Sequence, residues 1–215
     1  AKAAQPAFIR GVLLLHSFEF DDAKEAFVEA QKIDPDFGMA YWGEAMTYNH
    51  PLWNQTAPEQ GRAALVKLAR EAGLLMKRLP TEKEQMWYAS VERLYGPGDK
   101  LTRDLAYAAV LADMHAKYPD DLEVTSFYAL ALLGSSETTR DYSIYMKAAA
   151  LAEDVYAKNP NHPGAVPYLI HAFDDPVHGP LGLRYANLYG KMAPDASHAL
   201  HMPRHIYFAM GMWDE

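Results

Sequence analysis

The chain has 215 residues, half of them apolar, with 28 acidic and 20 basic side chains and a formal charge of −8. It is long enough to bury a substantial core, and without a lysine/arginine cluster to track phosphates it is not expected to bind nucleic acid. Cysteine is absent, which removes disulfides, thiolate ligands and thiol nucleophiles together, so a metal site must use histidine, carboxylate, amide, methionine or tyrosine.

The longest apolar runs, such as FYALALLG at 127–134, fall far short of the roughly 18 residues that a bilayer span requires, so no membrane span is expected. The opening AKAAQPAF has the character of a chain left after cleavage at a small-residue site, which leans the reading towards export to the periplasm.

Apolar residues recur with a period near 3.6 along almost the whole chain, and β-branched runs are few, so the expected fold class is all-α. Helical stretches are followed by Pro35, Pro80, Pro119, Pro160 and Pro194, at similar intervals that fall within the range marking a helical repeat. Such punctuation predicts stacked antiparallel hairpins at about 5–34, 37–79, 81–118, 121–159 and 163–193, then a lone first helix at 197–210, within one domain spanning 1–215. Thr81 and Glu84 form a capping-box pair straight after Pro80. GPGDK at 96–100 is a turn, and the longest interval, from Pro35 to Pro80, requires an insertion around NHPLWNQTAPEQ.

Counting back from each proline by the same three offsets gives Ala23, Phe27, Ala30; Leu68, Ala72, Leu75; Tyr107, Leu111, Met114; Ala148, Ala152, Val155; and Gly182, Ala186, Tyr189. All are small or apolar, the buried stripe of a second helix. With Gly11, Leu14, Ala23, Phe27, Ala30 and Pro35 in the first unit, and Tyr41, Ala45 and Tyr48 continuing into the next, the sequence resembles the tetratricopeptide repeat family. The resemblance implies a right-handed superhelical solenoid whose first helices line a concave groove. It also makes a peptide or partner protein the default groove ligand. In the family a glycine, an aromatic and an acidic residue lie at the turn into a second helix. GMWDE therefore reads as a stop inside a hairpin, and the edge is expected to be covered by further C-terminal repeats or by another copy.

The histidines carry the functional signal. His171 and His205 stand at the same distance after the repeat-closing prolines Pro160 and Pro194, and the interval between His16 and His50 equals the one between them. On the groove-facing stripe that the resemblance implies fall His198, His201 and His205; His171, Asp174 and Asp175; and Asn49 and His50. Neutral imidazole is the usual nitrogen ligand of zinc, copper or iron, and histidines spaced three or four apart on a helix can share one ion. The expected ligands are His171, His201 and His205, with His198, Asp174, Asp175 or His178 as a fourth or supporting group. His16, His50, Asn49 and Trp53 are groove or ligand-binding candidates, Trp53 because it sits on the insertion loop. His115, near a helix end, and His162, in NPNHPG, read as capping residues.

Pro203 stands between His201 and His205, and a proline in a helix interior costs about 3 kcal/mol or more. A helix beginning at Pro203 leaves His198 and His201 on its approach. Pro167 poses the same question before His171. Three functions follow from this reading: a metal-binding repeat protein able to use its ion as a Lewis acid or redox centre, a non-enzymatic scaffold for a peptide, and a pH sensor in which clustered imidazoles repel once protonated. No HExxH, phosphate loop or nucleophile elbow fixes a reaction.

Overall fold

Alternation of apolar stripes with capped polar turns folds the chain into helices packed against their sequence neighbours, as a computed structural model shows for residues 2–69, 75–136 and 140–214. The chain divides into two compact units, 1–114 and 115–215. The described residues are mostly helical, with one two-stranded ribbon. No helix among them is long and apolar enough to cross a membrane.

The first unit contains α1 (Gln5–His16), α2 (Phe20–Ile33), α3 (Gly38–Met46), α4 (Pro58–Ala69), α5 (Leu75–Arg78) and α6 (Glu82–Leu94); α7 (Lys100–Lys117) carries the division between units. Helices α1 and α2 pair, α2 packs on α3, and α3 packs on α4 and α6. Three of these helices meet at one ring. A Cβ on Gly11 of α1 would lie 2.7 Å from Phe27 of α2, and one on Gly43 of α3 would lie 2.3 Å away, so both glycines are small because Phe27 fills their space.

Residues 49–56, in the stretch expected to hold an insertion, form a short ribbon. β1 (Asn49–His50) pairs antiparallel with β2 (Gln55–Thr56), with Asn49 opposite Thr56, and a 3-10 turn at Pro51–Trp53 joins them through Asn54 at φ 53. Asparagine tolerates that left-handed conformation better than most side chains. At α6 the Glu84 amide donates to Thr81 Oγ1 at 3.2 Å, and the Thr81 amide donates to Glu84 Oε2 at 2.9 Å, the reciprocal capping box that the sequence predicts.

The second unit contains α8 (Leu122–Gly134), α9 (Tyr142–Lys158), α10 (Ala165–Phe173), α11 (Gly179–Met192), α12 (Ser197–His201) and α13 (Pro203–Ala209). Asp121 and Asp141 cap α8 and α9 by accepting amides of the first turn. Helix α8 packs on α9, α9 on α10, α10 on α11 and α11 on α13, while α10 also touches α8 and α13. A Cβ on Gly182 would lie 2.7 Å from Ile206, so this glycine lets α13 seat closely on α11. Of the second-helix stripe, every member whose side chain is described is buried; Ala72 and the side chain of Leu75 lie outside the described residues.

Candidate metal centre

Four imidazoles gather where α10 meets α12 and α13. Helix α10 is almost wholly buried. Pro167 sits in its first turn, where a missing N–H costs no hydrogen bond, so the helix runs unbroken to His171. The chain after Pro194 turns into α12 and α13, which are separate helices only by the interruption at Pro203. Met202, between them, is right-handed at φ −61 and ψ −32. Its amide donates to His198 O at 2.9 Å, and the His205 amide donates to Met202 O at 3.1 Å. The helical path therefore continues through the proline. Pro203 takes the first position of α13, as expected from the sequence, yet His198 and His201 lie on a helical turn of their own and not on a divergent approach.

The imidazoles form two pairs. His171 Nε2 lies 3.1 Å from His198 Nε2, with the rings stacked at 5.1 Å between centroids. His205 Nε2 lies 2.9 Å from His201 Nε2, with the rings nearly perpendicular. A metal–nitrogen bond of about 2.05 Å puts two ligands about 2.9 Å apart at a right angle and about 3.3 Å apart at the tetrahedral angle. Both pairs are spaced like neighbouring donors on one ion. Among the described residues no three of these donors come within 4.8 Å of one another, so one ion can take all four only if the pairs close on it.

Each pair has an outer partner. Asp174, at the C-terminus of α10, accepts from His205 Nδ1 at 2.9 Å. A carboxylate only accepts, so Nδ1 carries a proton, and Nε2 is the nitrogen turned towards His201. Tyr189, buried on α11, places its hydroxyl 3.1 Å from His198 Nδ1. Burial, and then the neighbouring His201 and His205, push His198 down to about 4. Burial, followed by His198, His205, Arg140 and His201, holds His171 well below the ordinary imidazole range. These two rings are thus neutral at pH 7, the state in which imidazole binds metal.

The remaining candidates have other neighbours. Asp175 accepts from the amides of Val177 and His178, both at 2.9 Å, from His178 Nδ1 and from Arg140 Nε at 3.1 Å. Burial raises its carboxyl, but these donors outweigh it and hold it below the usual carboxylate range. Arg140 also donates to the carbonyls of His171 and Ala172, placing a cation at the negative end of α10. Asp175 and His178 therefore anchor the turn between α10 and α11 and do not join the imidazole pairs. Arg140 is the residue that sequence spacing missed, since it lies far before His171 in the chain with no motif to mark it.

In the first unit, His16 is buried at the end of α1. His50 stacks on Phe20 at 3.8 Å, and its Nε2 lies 3.2 Å from Thr47 O. Trp53 packs edge-on to Phe18 and Phe20 and is 45% exposed. Asn49 is buried with Oδ1 unpaired among the described residues. In the second unit, His162 is buried, accepts from the Gly164 amide at 3.2 Å and lies 3.3 Å from Glu123, so it fastens the link into α10. His115 Nδ1 lies 3.1 Å from Thr125 Oγ1. No family model, curated protein or solved structure matches this chain.

Proposed function

We propose that this is a metal-binding helical-repeat protein of the tetratricopeptide type, which holds a divalent transition metal through His171, His198, His201 and His205. The observation that carries the reading is the pair of Nε2–Nε2 separations, 3.1 and 2.9 Å, on adjoining helices. Two uncharged imidazoles gain little from such an approach beyond one shared proton, whereas a cation between them satisfies both lone pairs. Asp174 behind His205 supports the reading further, because a carboxylate on the far ring nitrogen is the usual orienting partner of a ligating histidine.

The donor set favours zinc or copper. Imidazole nitrogen suits both, and Asp174, already engaged by His205, serves as an orienting group and not as the carboxylate ligand that a non-haem iron triad needs. The repeat-type reading rests on the hairpin order and the buried stripe.

The test is elemental analysis of tag-free protein after equilibration with zinc or copper and removal of excess metal. One ion per chain is expected, and a variant with His171, His201 and His205 changed to alanine should hold none. Protein that emerges metal-free from both incubations refutes the assignment.

A further inference from the structure

Beside the outer imidazole pair lies a cleft of about 420 Å³, within the range of small-molecule sites. His201 and His205 form one wall, and Arg204, Pro176, Phe208 and Ala209 complete the lining, with the edges of Asp174 and Asp175. The two carboxylates are already engaged, Asp174 by His205 and Asp175 by Arg140 and His178. Arg204 is different. Among the described residues it makes no hydrogen bond or ion pair, and it is exposed. Phe208, 57% exposed, offers an apolar surface one helical turn further on.

We propose that this cleft binds a small aromatic carboxylate, its anionic end between Arg204 and the ion held by the histidines and its ring against Phe208. The inference rests on the metal reading above. The inner pair, His171 and His198, does not line the cleft, so access to an ion runs through the His201–His205 side. A coordination position facing the cleft admits a carboxylate oxygen, and a guanidinium beside it takes the second oxygen. The flanking Pro176, Phe208 and Ala209 favour an apolar body over a bare inorganic anion.

The experiment uses the full chain loaded with cobalt(II), whose visible bands report the ligands around it, with benzoate and formate as probes. Benzoate should change the bands saturably and bind more tightly than formate. Arg204→Gln should take up cobalt(II) normally but weaken benzoate by about tenfold, the loss of one charge-assisted contact. Phe208→Ala should weaken benzoate and leave formate unchanged. Normal cobalt(II) uptake with bands indifferent to benzoate overturns the cleft proposal alone, as does an Arg204→Gln variant that binds benzoate like the parent. Failure to take up cobalt(II) overturns the metal reading and this inference with it.

Discussion

His50 of the first unit and the four gathered histidines of the second are used in opposite ways, the one on a strand and the others on helices. In the first, His50 lies flat on Phe20 with its Nε2 on the Thr47 carbonyl, so the ring serves as an aromatic plate with one polar tether. In the second, His171, His198, His201 and His205 turn their Nε2 atoms towards one another. One and the same interval relates His16 to His50 and His171 to His205. An equal spacing in the sequence therefore does not confer equivalent chemistry. What differs is the neighbour: an aromatic ring makes imidazole a packing group, whereas a second imidazole makes it a donor pair.

The sharpest way to break this contrast is to remove one ring from each pair. His171→Ala with His205→Ala should lower zinc affinity by at least about a hundredfold, since half the nitrogen donors go, as read by competition with a chromophoric chelator. Acid comes next. His198 is pushed from 6.5 to about 4 by burial and then by His201 and His205, and His171 moves in the same direction. The unfolded chain thus takes up protons near pH 6.5 that the fold refuses until about 4. Stability contributed by these neutral rings is complete above about 6.5 and drains as pH falls through that window. On the order of 2 to 3 kcal/mol is at stake for His198, measured by urea unfolding of the metal-free protein. Hydrogen exchange should place that loss in α10 to α13.

Asp174→Asn should weaken zinc by about tenfold while leaving the fold intact, because it disturbs an orienting partner and not a ligand; the same competition assay reads it. The smallest effect is expected in the first unit. His50→Ala should cost about 1 kcal/mol in urea unfolding through lost stacking on Phe20 and leave zinc affinity unchanged. A His50→Ala variant with impaired zinc binding would erase the contrast between the units.

Helix content and the capping box at Thr81 were legible in the sequence, because each follows from local periodicity or turn chemistry. IHAFDD and SHALHMPRH, singled out in the sequence for their histidines, meet through His171 with His198 and Asp174 with His205. Two things were not legible. Asp175 and His178 carry the residue types of a ligand pair, yet the tight turn after α10 gives Asp175 two amides and a guanidinium to accept from, and only the folded backbone discloses that demand. Pro203 reads as a helix breaker, but its position at the start of α13, with Met202 still helical, lets the chain absorb the interruption without rotating His198 and His201 away from their partners.

X-ray absorption of the zinc-loaded chain reports the metal's ligands themselves. A nitrogen shell at about 2.0–2.1 Å is expected, with outer-shell scattering from more than two imidazoles that is lost when His171 and His205 are both alanine. A spectrum dominated by oxygen, or one that the double variant leaves unchanged, would contradict a metal held by these histidines.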